Sequence, residues 1–379
     1  MDLCKDNPKS YQLIVSFVNK CLNESFRQAY LEILQDEMIR GRNMGKFSLS
    51  FLIPLVLSYI AMIVIGTLGS SLVIYVVLRS KTLRTPRNMF ILNLAITDLI
   101  LCAFSQPFNI IRLLSFHKEW IFGEWVCKLV GLFTGTNVCV STISITAIAL
   151  DRYQVILCPT RNSLQLIGAI KVMLGIWILS LIIASPLVLF SGVETVNMLK
   201  ANHTRCTEHT VEIYMRKLKV GYSIATLVLL YVIPLSIVTI TYMKIYRIIK
   251  QRMNNLHKKD LESSNSLPNS HKMELLTDKQ KYDIQRQRRA NILLLSITIV
   301  FAISWLPLNL INMIMDLYLM YNESTVGPMS LRIQSICLLM VLTSACTNPI
   351  LYGWLNDNFR HEFKRFFQNF HYKSEVSSS

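Results

Sequence analysis

Seven separate runs of apolar residues, each long enough to cross a lipid bilayer, constrain this chain more than any other feature. They cover about 49–78, 88–115, 124–156, 168–190, 217–246, 288–319 and 330–354. A helix rises about 1.5 Å per residue, so roughly 20 mainly apolar residues cross the hydrocarbon. Inside lipid the backbone polar groups have no water to bond, which restricts spanning segments to helices or closed barrels. Runs of this length select helices. The expected fold class is an all-α membrane protein, a seven-transmembrane helix bundle. Several runs exceed the minimum length, which calls for tilt or extension beyond the bilayer.

Composition agrees. Only 16% of the 379 residues are charged, against about 25% in a soluble domain. The mean hydropathy is +0.40. The net charge of +16 would fit a nucleic-acid binder, but the basic residues flank the apolar runs, where they set topology. Nucleic acid is therefore excluded as a partner. Residues 1–48 are mixed and polar with no apolar run near Met1, so no cleavable signal is expected and the first span acts as its own insertion signal. The expected division is an extracellular segment at 1–48, the bundle at 49–355, and a cytoplasmic helix and tail at 356–379.

Orientation follows from Lys and Arg. The first connection holds Arg79, Lys81, Arg84 and Arg87, and the fifth, from Lys244 to Arg289, holds 12 basic against 5 acidic residues. Both belong in the cytoplasm, which puts the N-terminus outside. The basic residues of the N-terminal segment argue weakly the other way. The Asn-x-Ser/Thr sequons at Asn23, Asn202 and Asn322 all fall outside in this topology, as glycosylation requires. Cys127 and Cys206 also fall outside, where an outer pair can oxidise, and so do Cys4 and Cys21, whose pairing nothing fixes. Cys102, Cys139, Cys337 and Cys346 lie within spans and read as small packing residues. Leu261 to His271 reads as a flexible, solvated loop. From Asn356 to Phe370, phenylalanines at 359, 363, 366, 367 and 370 recur at helical spacing among Arg360, Lys364 and Arg365. That pattern is an amphipathic helix on the inner leaflet of the lipid; the alternative is a disordered basic tail.

Ionisable groups inside a membrane are costly and mark function. Asp98 sits in the middle of the second span. Asp151-Arg152-Tyr153 ends the third, where Arg152 can pair with Asp151 and later change partner; the alternative is a charge pair snorkelling at the membrane edge. Pro186, Pro234, Pro307 and Pro349 fall inside spans and each removes a helix hydrogen bond. Trp305 stands two residues before Pro307, and Asn348-Pro349-x-x-Tyr352 combines a kink, an amide and a phenol.

With these landmarks in order the chain resembles the rhodopsin-like G-protein-coupled receptors, from Phe51 to Phe370. Leu94-x-x-x-Asp98, Trp120-x-Phe122-Gly123, Cys127, Asp151-Arg152-Tyr153, Trp177, Pro234 with Tyr242, Phe301-x-x-x-Trp305-x-Pro307 and Asn348-Pro349-x-x-Tyr352 carry the resemblance. It implies a Cys127–Cys206 disulfide, a plasma-membrane location, Arg152 as the core contact to a heterotrimeric G protein, Tyr242 and Tyr352 swinging inward on activation, and arrestin as a further partner. It implies no required cofactor. Asp98, Asn137, Ser141 and Asn348 would converge on an allosteric sodium ion, or else on a water-filled polar network. Two positions depart from the pattern. Ser70 stands where an Asn is usual. Gln287 stands where an acid often begins the sixth span, which leaves Arg152 without an ionic partner there.

More narrowly, the chain resembles the neuropeptide Y and invertebrate neuropeptide F receptors, through Lys81 to Asn88, Asn137 to Tyr153, Trp305 to Leu308, Asn312, Asp316, and Asn348 to Gly353. Asn312 and Asp316 are four apart and share a helix face. The resemblance implies that Asp316 reads the arginine of an amidated peptide ligand; the alternative is an exposed helix-end acid. Thr134 stands where these receptors usually carry Gln, and Gln106 faces the same region, so the ligand's last residue can differ. RFamide-type peptides are the runner-up. An amine transmitter is disfavoured, because no Asp occupies position 134. A secondary transporter would show inverted repeats and broken helices, and neither is visible. An enzyme would need a convergent catalytic set, and all seven His lie outside the spans.

Overall fold

The computed structural model describes residues 49–114, 120–157, 165–198, 201–208, 213–264, 270–321 and 328–377. Asn23, Asn322, Cys4 and Cys21 lie outside them, and Asn202 is described only in its backbone.

Seven helical segments long and apolar enough to cross a membrane run Ser50–Arg79, Pro86–Arg112, Gly123–Leu157, Leu166–Phe190, Ile213–Leu256, Gln280–Tyr321 and Met329–Leu355. They are called the first to seventh spans below. The first exposes Ile53, Leu57, Ile60, Val64 and Leu68, and the fourth exposes Leu174, Ile178 and Ile182. Apolar residues recurring every three to four positions on an outer face suit lipid rather than water. The second and third spans are the most enclosed. Val140, Ala149, Leu101, Val341, Leu342 and Ala345 are fully buried between neighbours.

Local chemistry sets the helix starts and breaks. Thr85 caps the second span by accepting from the Asn88 backbone N–H at 3.4 Å, with Pro86 in the first turn where its missing N–H costs nothing. The second and fifth spans each contain one wide, π-helical turn, Leu101–Ser105 and Val228–Val232. Each lies just ahead of a proline, Pro107 and Pro234. A proline ring crowds the preceding turn and deletes its hydrogen bond, and widening relieves that. Pro186 breaks the fourth span into Leu166–Ala184 and Pro186–Phe190. Pro307 and Pro349 lie within unbroken helices.

The spans are tied by small residues and polar links. A side chain at Gly69 would meet Pro349 at 2.8 Å, so only glycine lets the first span approach the seventh here. Ser70 beside it is buried and its hydroxyl has no partner, in keeping with the absent amide. Tyr59 supplies a further link by donating to the Ser335 carbonyl at 2.8 Å. Trp177 donates to Asn93 at 2.8 Å, and Asn93 donates to Ser144 at 2.8 Å, joining the fourth, second and third spans.

One expectation changes in part. The helix of the fifth span continues to Ser264 and that of the sixth begins at Ser270. Residues 261–264 and 270–271 of the segment read as loop are therefore helical, and 265–269 lie outside the described residues. Leu, Lys, Gln and Met are good helix formers, so the helix persists where the apolar run stops. The C-terminal helix, Asp357–Ser377, also gives much of its aromatic face to protein. Phe359 is buried against Tyr352, Phe363 packs on Phe359 and Gly353, and Phe366 meets Tyr75 edge-on, while Phe367 is exposed.

Candidate functional site

The two ends of the bundle carry different polar clusters. At one end a β-hairpin, β1 (Gly192–Met198) and β2 (Ala201–Thr207), pairs antiparallel with Val193 opposite Cys206. Cys206 is disulfide-bonded to Cys127 at the start of the third span, Cα to Cα 5.6 Å. Trp120 donates its backbone N–H to Thr204 at 2.8 Å and its indole N–H to the Gly123 carbonyl at 2.8 Å, which holds the hairpin over the bundle. Arg205 lies across from Glu194 in the hairpin. Burial lowers its pKa from the ordinary guanidinium value, and Glu194 partly offsets that.

Beneath the hairpin, Asp316 of the sixth span is buried and already carries a cation. Lys219 Nζ of the fifth span sits 2.9 Å from one carboxylate oxygen, and Ser223 donates to the other at 2.7 Å. Lys219 also donates to the Glu208 carbonyl at 2.6 Å, and the Glu208 side chain pairs with Arg112 of the second span at 2.5 Å. The exposed helix-end alternative for Asp316 does not describe this geometry. Asn312 shares the helix face but turns to the seventh span, where Gln334 donates to it at 3.0 Å. The sequence pattern along one helix missed Lys219, Ser223 and Glu208 because their relevance depends on what the facing helix presents.

A second cluster lies between the second and third spans. Thr134 donates to the Val130 carbonyl at 2.8 Å and accepts from Asn109 at 3.2 Å. Gln106 is fully buried, and neither its Nε2 nor its Oε1 has a partner among the described residues. A buried amide without partners costs about 1–3 kcal/mol per polar group, so such groups mark a ligand, a water or stored strain. Gln106 is the first residue after the wide turn at Leu101–Ser105. One inserted residue rotates everything beyond it by about 100°, and this sets where Gln106 and Asn109 point. Asn109, missed from sequence, is one turn on and buried beside it.

In the middle of the bundle Asp98 accepts from the Asn348 amide at 2.8 Å, leaving the Asn348 oxygen buried and unpartnered. Asn137 donates to the Thr97 carbonyl at 2.5 Å, and Ser141 lies 3.5 Å from the Thr97 hydroxyl. The four residues thus form two pairs meeting at adjacent positions 97 and 98. A carboxylate, an unpaired amide oxygen and hydroxyls are hard oxygen donors, the set an alkali cation takes. Nearby, Trp305 packs on Phe301 with ring centroids 6.1 Å apart, and Asn309 joins the sixth span to Tyr231 of the fifth at 2.7 Å.

At the far end Arg152 pairs with its neighbour Asp151 at 3.0 Å, and its Nε has no partner. The charged partner of Arg152 is on its own helix, not on the sixth span. Gln287 there keeps a buried, unpartnered side-chain oxygen. Tyr242 and Tyr352 are both buried in the core, and the Tyr352 hydroxyl is unpartnered among the described residues. Lys244 stands over the Tyr153 ring at 5.5 Å, and Arg252 of the fifth span donates to the Ile156 carbonyl of the third at 2.7 Å. This end also has a shallow cleft lined by Arg87, Arg286, Arg289, Leu294 and Asp357.

The family described as "7 transmembrane receptor (rhodopsin family)" matches residues 69–352. The neuropeptide F receptor of Drosophila melanogaster is 37% identical over 350 residues, covering 90% of this chain and 67% of that receptor. The human neuropeptide Y receptor type 2 is 31% identical over 314 residues, covering 82% of this chain and 75% of that receptor.

Proposed function

The chain belongs to the rhodopsin family of seven-transmembrane receptors, and from that premise we propose that it is a receptor for an amidated neuropeptide of the neuropeptide F and neuropeptide Y kind. The observation that carries the ligand assignment is Asp316. It is the buried acid at the disulfide end of the sixth span, and a peptide guanidinium makes a bidentate contact with a carboxylate. The peptide's C-terminal amide goes to the Gln106 cluster, where a buried, unsatisfied amide can both donate and accept. Thr134 is committed to Val130 and Asn109, which supports Gln106 as the reader of the amide. An RFamide-type peptide has the same two recognition groups and differs only in what fills the space between them.

The disulfide end faces outside in this reading, the N-terminus is extracellular, and the membrane is the plasma membrane. Asn23, Asn202 and Asn322 then carry glycans. Arg152 faces the cytosol. Exchange of Asp151 for a G-protein partner, with Tyr242 and Tyr352 moving inward, carries the signal to a heterotrimeric G protein of the inhibitory type, and arrestin follows at the same face. Phe367, with Lys364 and Arg365 beside it, meets the inner leaflet. Asp98, Asn137, Ser141 and Asn348 would hold a sodium ion, whose positive charge would offset the buried carboxylate and favour the resting arrangement. Agonist affinity that ignores sodium would remove that part.

The testing experiment is a panel of amidated neuropeptides applied to cells that express the chain, read by GTP exchange. Peptides ending in Arg-aromatic-amide are expected to activate, and their free-acid forms to fail. Activation by the acid forms alone, or by amines, contradicts the proposal.

A further inference from the structure

Lys219 occupies the position that the peptide's arginine would take. Three observations define it. Its ammonium group is almost wholly enclosed, with 9% of the side chain exposed, against 5% for Asp316. Its 2.9 Å contact is to one carboxylate oxygen while Ser223 donates to the other, so each oxygen already has a donor before any ligand arrives. Its second bond, to the Glu208 carbonyl, gives it a place to remain if Asp316 is taken away. Glu208 is itself held by Arg112.

We infer that Lys219 is the residue that sets the affinity and charge selectivity of the site, a resident cation that an incoming guanidinium must displace from Asp316. This rests on the arginine reading of Asp316 given above. A peptide bearing a cation binds by exchange: its guanidinium takes both carboxylate oxygens, the Ser223 hydroxyl turns away, and Lys219 falls back on the Glu208 carbonyl. The exchange weakens binding by the strength of the Lys219–Asp316 pair. A neutral analogue has no reason to displace Lys219 and carries no such penalty. Lys219 therefore narrows the preference for a charged over a neutral side chain. Displacement also cuts an ionic tie between the fifth and sixth spans. A hydrogen bond from Arg216 to the Leu319 carbonyl at 3.0 Å also joins these spans, so occupancy changes how they are held together.

The test uses the full-length receptor in membranes, a labelled synthetic peptide ending in Arg-Phe-amide, and the same peptide with citrulline in place of arginine. Citrulline keeps the shape and loses the charge. Lys219→Gln retains a donor for Glu208 and removes the charge. It should raise affinity for the arginine peptide by roughly tenfold or more and leave that for the citrulline peptide unchanged. Lys219→Met, matched in length, guards against a folding artefact, with surface expression measured by antibody; it should give the same gain. Arginine-peptide affinity that is unchanged or weaker in both well-expressed variants, while Asp316→Asn weakens it, overturns the role of Lys219 and leaves that of Asp316 intact. An arginine peptide that ignores Asp316→Asn, or does not bind the wild type, overturns the underlying reading and this inference with it. An equal gain for both peptides also overturns it, because charge would then play no part.

Discussion

At the disulfide end charged side chains reach across elements: Arg112 of the second span to Glu208 after the hairpin, and Lys219 of the fifth span to Asp316 of the sixth. At the Arg152 end they pair close by in sequence, Arg152 with Asp151 and Arg360 with Asp357. The first kind of pair fixes helices against each other, and breaking it moves a span. A pair of the second kind ties no two helices together, so it can be exchanged without dismantling the bundle, and the Arg289–Asp357 pair that does cross helices at this end is long, 3.8 Å, and exposed. Buried side-chain oxygens without partners occur at both ends, on Gln106 toward the first and on Gln287 and Tyr352 toward the second. Buried groups without partners cost free energy in the present arrangement and regain it in another. One end holds a buried acid between two spans, and the other holds an arginine paired with the neighbouring residue of its own helix.

That contrast can be broken by substitution. The largest effect is expected from Cys206→Ser, which removes the covalent link between hairpin and third span. A lost disulfide costs about 2–5 kcal/mol, so thermal unfolding of the solubilised protein should occur markedly lower. An unchanged midpoint would mean that the hairpin is held by Trp120 and its partners alone. Asp316→Asn comes next. It should shift the dose-response of an Arg-aromatic-amide peptide rightward by on the order of a hundredfold, at normal surface expression. A shift below threefold would remove Asp316 from the ligand site. Gln287→Glu offers Arg152 an acid on the sixth span and should lower basal GTP exchange by a few-fold, the modest scale of a partly exposed pair. Unaltered basal exchange would mean that the resting state owes nothing to the missing acid. The smallest effect belongs to Asp357→Asn. Its 3.8 Å pair with Arg289 is exposed, so thermal stability should move by less than about 0.5 kcal/mol. A larger loss would show that the Arg152 end is also ionically cross-linked.

The spans and the placement of Asp98 and Arg152 were legible because each depends on hydropathy or on a local motif, whereas the Cys127–Cys206 bond joins positions 79 apart and came from the family resemblance. Length of helix was not legible. A hydropathy pattern ends where charges begin, near 246 and 288, whereas helix propensity carries the fifth span to Ser264 and starts the sixth at Ser270. Asp316 was legible as a residue and not as a pair, because Lys219 lies 97 positions earlier and only the crossing of two helices brings them together. Gln106 was legible as a polar group near the right depth. Its burial and lack of partners depend on the wide turn at Leu101–Ser105, which a regular helical period does not foresee. Phe359 and Phe363 fit an amphipathic helix equally well whether they face lipid or protein, and here they face Tyr352 and Gly353.

The central claim is that peptide bound at one end drives G-protein exchange at the other. Its most direct test is GTP exchange on a purified inhibitory heterotrimer by receptor in lipid nanodiscs, with peptide binding measured on the same samples. Wild type should accelerate exchange when an Arg-aromatic-amide peptide binds, and Arg152→Ala should bind that peptide and accelerate nothing. Exchange that survives Arg152→Ala, or bound peptide that drives no exchange in the wild type on inhibitory or any other heterotrimer, would contradict the account.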